Sequence, residues 1–451
     1  MQIKVLFTYL FLPAINTVLV TKVYRSSTYN PNSPCAILDN ISLPLLDASL
    51  NSCIWQCMHN IKCQTAVYLH DQKICSTFGE HCQSGHIQPS GSTRASVICC
   101  RKNEESNMYC QSTATSTQAG IQTTQAVHTW TSATSMSTRR YDHTASILSD
   151  TTVLVAGGEC AGYYLKSAEI YNLSTNTWTT TGDMHVQRSD HTASVLSNGK
   201  VLVAGGWHGS SFLDSAELYD PSTGTWTMTG SLNVGRSDHT ANVLSDGRLL
   251  VSGGSSSNTA ELYNPLANSW TWTGSMSTRR YDHTASILSD TTVLVAGGEC
   301  AGYYLKSAEI YNLSTNTWTT TGDMHVQRSD HTASVLSNGK VLVAGGWHGS
   351  SFLDSAELYD PSTGTWTMTG SLNVGRSDHT ANVLSDGRVL VTGGRFGDSV
   401  ELYDPSTGTW TQVDEMNDKR SYHTASILSS GTVLVTGGED LYVTHNTAEL
   451  Y

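Results

Sequence analysis

"RSDHTASVL", Arg188–Leu196, sets a carboxylate, an imidazole and two hydroxyls within five positions, at Asp190, His191, Thr192 and Ser194. Those groups are the parts of a nucleophilic hydrolase, and a lone copy would deserve that reading. The chain has seven. His143, His191, His239, His283, His331, His379 and His423 each precede Thr-Ala, at intervals of 48, 48, 44, 48, 48 and 44 residues. A Gly-Gly pair keeps the same beat from Gly157-Gly158 to Gly437-Gly438, and a tryptophan does so from Trp130 to Trp410. The interval pattern itself repeats because residues 135–248 stand again, unchanged, at 275–388. A group present once per repeat serves the repeat. Asp-His-Thr, with Tyr422 replacing Asp in the last copy, is therefore expected to hydrogen-bond within and between innermost strands. Arg188 and its equivalents are expected to pair a neighbouring carboxylate. A metal ring near the channel and a hydrolytic centre are the lesser readings.

Each unit carries four candidate strands. In the second they are "HTASVL", "KVLVAGG", "AELYD" and "TWTMTG", joined by "SNG", a longer variable loop and "PSTG". β-Branched residues, short alternations and Asn-Gly or Pro-x-x-Gly turns are strand and hairpin signals. Four-stranded units at a period of 44–48 residues argue for a β-propeller. The glycine pair, the aromatic in the third strand and the tryptophan in the fourth resemble the kelch repeat, over about residues 127–451. The first recognisable piece, around Trp130, is a fourth strand, and the last, ending at Tyr451, is a third. The amino-terminal strand should therefore complete the last blade and remove an open edge. The expected fold class is mainly β: a seven-bladed kelch-type propeller closed by an amino-terminal strand, preceded by a small disulfide-rich α+β module.

Charge argues against some partners. Of 451 residues 14% are charged, with a net charge of −13. Residues 1–126 hold eight Lys and Arg against six Asp and Glu, which leaves 17 against 32 for the remainder. An acidic body is poorly matched to a nucleic-acid backbone or an anionic membrane. The opening "MQIKVLFTYLFLPAINTVLV" has Lys4, an apolar run to about Ile15, then small and polar residues. It reads as a secretory signal peptide over about residues 1–22, with an uncleaved signal anchor as the alternative. The protein is thus expected to be secreted, with a membrane tie only in the anchored case. Sequons at Asn40, Asn172 and Asn312 are then candidate glycosylation sites.

Nine of the eleven cysteines lie between Cys35 and Cys110. In a small secreted module this density signals a disulfide framework, with zinc as the weaker reading because spacings are irregular. Cys53 and Cys57 would share a helix face, and each could staple onto the following strand "CQTAVYLH". The C-x3-C helix, third cysteine, aromatic-bearing strand and fourth cysteine resemble the PAN/apple family, within residues 35–110. That resemblance implies Cys53–Cys75 and Cys57–Cys63 pairs, with Cys35 closing onto Cys99, Cys100 or Cys110, and a protein or carbohydrate ligand. Pairing of Cys82 stays open. So does that of Cys160 and Cys300, which lie three blades apart and beyond disulfide reach of each other. A Ser/Thr-rich linker, residues 111–126, follows.

Function on a propeller belongs to loops that differ between blades. The loops joining second and third strands are "ECAGYYLKS", "WHGSSFLDS", "SSSNT", the first two again, "RFGDS" and "EDLYVTHNT". They gather Tyr163, Tyr164, Trp207, His208 and Phe212 on one face. The copies Tyr303, Tyr304, Trp347, His348 and Phe352 gather about 150° around the ring. Exposed aromatics among Gly and Ser suit recognition of an extracellular protein or glycan. No cofactor, metal or catalytic residue is called. The alternative is a copper radical oxidase: "RSYHTASILSSGTVLVTGG" resembles the Tyr-His copper-ligand stretch of the galactose oxidase family at Tyr422 and His423. By that resemblance copper also needs a crosslinked tyrosine and a further histidine.

Overall fold

The computed structural model describes residues 129–451 apart from Ser256, Phe396 and Tyr442, and ahead of them only the backbone of short strands. The chain divides into two compact units, Met1–Gln125 and Ala126–Tyr451. In the first, strands Thr65–Leu69, Ile74–Phe78, Ala95–Lys102 and Met108–Ser112 make one antiparallel sheet. Of the leader only the backbone of strands Tyr9–Leu10 and Thr17–Val20 is described; the C-x3-C helix, the side chains of the pairs Cys53–Cys75 and Cys57–Cys63, and the sequon at Asn40 lie outside the described residues. Among the described residues no helix is long and apolar enough to cross a membrane.

In the second unit the described residues form seven four-stranded antiparallel sheets. The second blade is typical: Thr192–Val195, Val201–Ala204, Ala216–Asp220 and Thr225–Met228, each paired with the next in sequence. The seventh is composite. Its strands Thr424–Ile427, Val433–Thr436 and Ala448–Leu450 come from the carboxyl end, and Thr131–Ala133 pairs along Ala448–Leu450 as the fourth. The clasp read from strand order is the one observed. The first strands of successive blades touch in turn and the seventh touches the first, so the ring is closed with those strands innermost.

Second strands such as Val201–Ala204 are buried at every residue. They lie between neighbouring blades, which is why they read as continuous apolar runs rather than alternating ones. One cluster joins Leu154, Ala156, Ala168 and Met184 of the first blade to Val201, Val203, Tyr219 and Trp226 of the second. Full burial of each such large side chain contributes about 1.5–3 kcal/mol. The repeated tryptophan adds a polar tie across the same seam: Trp226 Nε1 donates to the Gly182 carbonyl at 2.8 Å. Trp318 departs from this. Its neighbour across the seam is Gly274, where the first copy has Thr134, and its indole N–H has no partner. The 135–248 and 275–388 copies are identical within, but their edges meet different sequence.

Candidate functional site

The opening triplet divides its work among three places. His191 lies between blades, 6% exposed, with Nε2 3.0 Å from Thr144 Oγ1 of the preceding blade. Each equivalent histidine does the same, round to His143 with Thr424 and His423 with Thr380. Burial first, and the nearby Arg188 second, push His191 down to about 3, so the imidazole is neutral. The preceding arginine is deeper still. Arg188 donates to the Gly205 and Ser215 carbonyls at 2.6 and 3.1 Å and to Glu217 Oε1 at 3.0 Å, with both side chains at 0% exposure. Glu217 also accepts the His185 and Val186 N–H groups, at 2.8 and 3.0 Å. These contacts tie the connection between fourth and first strands to the third strand in every blade, and the glycine pair makes room for them. Gly157 has φ +65°, and a Cβ there would stand 2.7 Å from both the Arg188 carbonyl and His191 Cε1.

The aspartates do something else. Asp142, Asp190, Asp238, Asp282, Asp330, Asp378 and Tyr422 all have φ between 49° and 55°, a left-handed conformation that Asp tolerates better than most residues. Their peptides form a belt: each N–H donates to the carbonyl of the equivalent residue one blade back, at 3.1–3.3 Å, and Asp142 closes it on Tyr422. Six carboxylates thereby converge on one end of the axis, half-buried around the opening they line. Four are held by the preceding serine, as Ser189 Oγ donates to Asp190 at 2.6 Å. Partial burial, then the neighbouring carboxylates, raise Asp190 and Asp330 to about 7 and lift Asp282 well above its usual range. Among the described residues no three His, Cys, Asp or Glu side chains are arranged to hold a metal ion.

A carboxylate whose proton affinity is raised by folding destabilises the fold once it ionises. Stability from such a group is complete below the unfolded value near 3.8 and is lost as pH rises through about 7. Asp282→Asn is therefore expected to raise Tm at pH 8 and to change it little at pH 5, read by thermal unfolding at both. An equal shift at the two pH values would show that folding does not raise the proton affinity of the Asp282 carboxylate.

Around this mouth stands an outer set of which sequence reasoning singled out only Trp207 and Trp347. Glu159, Trp207, Ser255, Glu299, Trp347, Arg395 and Glu439 each directly follow a glycine pair. Glu159, Trp207, Glu299, Trp347 and Glu439 bridge to Tyr141, Ser189, Tyr281, Ser329 and Ser421 respectively. Tyr281 donates its hydroxyl to Glu299, and Tyr141 pairs likewise with Glu159. For the axial belt the available signal was the Asp before six of the seven His residues, since Asp is one of the few residues at home in the left-handed region.

The variable loops rise on this same end. Glu159–Cys160 and Tyr163–Tyr164 make a short ribbon. The structure brings Tyr164, Trp207 and Phe212 together across two blades: Trp207 Nε1 donates to the Tyr164 hydroxyl at 3.1 Å, and the Trp207 and Phe212 rings are 5.0 Å apart. The Tyr164 ring lies against Gly209. Tyr163 takes no part and is 77% exposed; its copy Tyr303 is 76% exposed. His208 and His348 are half-buried, with Nδ1 unpartnered. The copied cluster holds Tyr304, Trp347 and Phe352 in the same way. Cys160 and Cys300 are free thiols here. Asn172 and Asn312 head hairpin turns at the ends of third strands, each Oδ1 accepting the backbone N–H two residues on at 2.9 Å.

Tyr422 and His423 do not make a copper pair in this arrangement. Arg395 donates to the Tyr422 hydroxyl at 3.3 Å, whereas His423 is 5% exposed with Nε2 between Thr380 and Thr392, at 3.2 and 3.0 Å. The histidine performs the per-blade job of its six equivalents.

The comparisons agree with this geometry. A family model described as the KLHDC2/KLHL20/DRC7 Kelch-repeats domain matches residues 256–438, and the Kelch motif matches 139–185 and 188–233. No curated protein sequence matches significantly. Among solved structures the chain is similar to a fungal alcohol oxidase of the AA5 family in complex with copper, at 19% identity and TM-score 0.61, over 72% of this chain and 76% of that one. It is also similar to YjhT, at 15% identity and TM-score 0.51, over 62% and 99%. At these identities the likeness is one of fold. With its sevenfold four-stranded sheets and matching repeat models, the carboxyl-terminal unit is a seven-bladed kelch-repeat β-propeller.

Proposed function

We propose that this chain is a secreted or cell-surface binding protein whose propeller recognises an extracellular protein through the face that carries the second-to-third-strand loops. Kelch-repeat propellers serve as protein-binding scaffolds, which supports a protein partner over a glycan. The observation that carries the reading is the exposure of Tyr163 and Tyr303, 77% and 76%, beside packed Trp–Phe pairs on blade-specific loops. A large aromatic held out from a rigid scaffold costs little entropy on binding and supplies much of an interface's energy. The acidic mouth beside it favours a partner with a basic contact surface. Asn172 and Asn312, on hairpins of the same ring, are the proposed glycosylation sites of the secreted form.

The test is an array of extracellular proteins and glycans probed with wild type and the Tyr163→Ala/Tyr303→Ala double variant. The double variant is expected to lose at least about tenfold in affinity for a protein bound by wild type. Binding that survives unchanged dismisses the loop face, and binding confined to glycans reassigns the ligand class. Trp207 is the poorer probe, because its removal also unseats Tyr164.

A copper oxidase is the second reading, supported by the likeness to the fungal oxidase and by Tyr422-His423. It would require His423 to leave Thr380 and Thr392. Stoichiometric copper with peroxide release from alcohols would establish it over the binding reading.

A further inference from the structure

We propose that the ring carries two equivalent docking patches and engages one flexible partner chain that presents the same short epitope in tandem. The inference rests on the binding reading above and concerns its valency. Both aromatic patches fall wholly inside the copied block, so every residue of one has an identical counterpart in the other. The geometry is copied as well. Trp207 and Trp347 each donate to a tyrosine hydroxyl at 3.1 Å, their rings stand 5.0 and 4.8 Å from Phe212 and Phe352, and each tyrosine lies against a glycine, Gly209 or Gly349. Tyr163 and Tyr303 project from matching ribbons, Glu159–Cys160 with Tyr163–Tyr164 and Glu299–Cys300 with Tyr303–Tyr304.

The angle between the patches selects the partner. Three of seven blades is a rotation of about 150°, not 180°. A rigid two-fold dimer would seat one site and miss the other. An extended chain whose copies are joined by flexible segments meets both, because the linker absorbs the mismatch. The local chemistry suits an apolar or proline side chain against the exposed Tyr163 ring. Flanking loops differ between patches, Ser255–Thr259 in the third blade against Arg395–Ser399 in the sixth, so the two affinities are close rather than equal.

A displayed library of random linear peptides is selected on the full-length protein and counter-selected on the Tyr163→Ala/Tyr303→Ala double variant. Both substitutions remove exposed rings and leave the core untouched. The selected peptide is synthesised as a single copy and as a tandem pair joined by Gly/Ser linkers of graded length, and measured by calorimetry. The single copy is expected to bind wild type with a stoichiometry of two, and either single variant with a stoichiometry of one at nearly unchanged Kd. The tandem peptide is expected to bind wild type about 10²–10⁴-fold tighter than the single copy, an advantage that either single variant removes. A stoichiometry of one on wild type overturns the two-patch assignment while leaving the binding reading intact. A stoichiometry of two with no tandem gain at any linker length overturns the tandem partner. A library that yields no peptide distinguishing wild type from the double variant overturns the short-epitope partner, while the protein array decides the binding reading separately.

Discussion

Arg188→Ala is expected to lower the unfolding free energy of the ring by about 3–5 kcal/mol, measured by urea denaturation of the full-length protein. The guanidinium is 0% exposed and supplies four hydrogen bonds, two to backbone carbonyls, one to Ser215 and one to Glu217. Removing it leaves the Glu217 carboxylate buried beside two carbonyls that lose their donor. Exposed pairs in the same blade behave differently. Lys200–Asp220, at 2.9 Å but partly exposed on both sides, is expected to contribute little, so Lys200→Ala serves as the control. Because the pair itself is costly to bury, Arg188→Met combined with Glu217→Leu is expected to cost less than the sum of the two single changes. It does not become neutral, since the His185 and Val186 N–H groups lose their acceptor. An Arg188→Ala variant within about 1 kcal/mol of wild type would show that the seven buried pairs do not hold the blades.

Acidification from pH 7 to below pH 5 is expected to unfold the ring steeply. Seven histidines between blades are 5–7% exposed and neutral. Burial, reinforced by the neighbouring arginine, pushes His191, His283 and His423 down to about 3 and holds the other four well below the usual value. In the unfolded chain each takes a proton near pH 6.5. The stability each contributes is therefore complete above 6.5 and is lost as pH falls from there toward 3, at about 1.4 kcal/mol per pH unit per histidine. The axial aspartates act in the opposite sense, gaining stability as they take up protons below about 7. The carboxylates are only partly buried, and each proton taken up relieves the repulsion on its neighbours, so their summed effect is the smaller and the histidines dominate below pH 6. Maximum stability is expected near neutrality. Circular dichroism against pH, with wild type beside His191→Gln, checks the assignment: the variant starts less stable and shows a shallower acid slope. A ring that keeps its Tm down to pH 4 would refute the claim that these imidazoles are buried without charge.

The number of blades, the order of strands and the closing partner of the last blade were legible in the chain. Those features depend on local pattern: alternation, turn residues and a beat that repeats every 44–48 residues. Even the junction between Thr131–Ala133 and Ala448–Leu450 followed from counting strand types at the two ends. The demotion of Asp-His-Thr from a reaction centre to a repeated brace also needed only the sequence, since a group present in every blade cannot mark a single site.

What the tertiary structure alone decided is where residues a blade apart meet. Asp190 and Asp238 are 48 positions apart, and nothing local says that their peptides bond in a belt around the axis, with six carboxylates facing one opening. That convergence is a property of the closed ring, in which a small left-handed turn is repeated at equal rotation until it meets itself. The same holds for the aromatic loops. As sequence, Tyr163, Tyr164, Trp207 and Phe212 are equal candidates for recognition. Packing across the blade boundary spends Tyr164 and Trp207 on each other and leaves Tyr163 in solvent, because contact between loops is set by the angle between blades and not by the residues of either one.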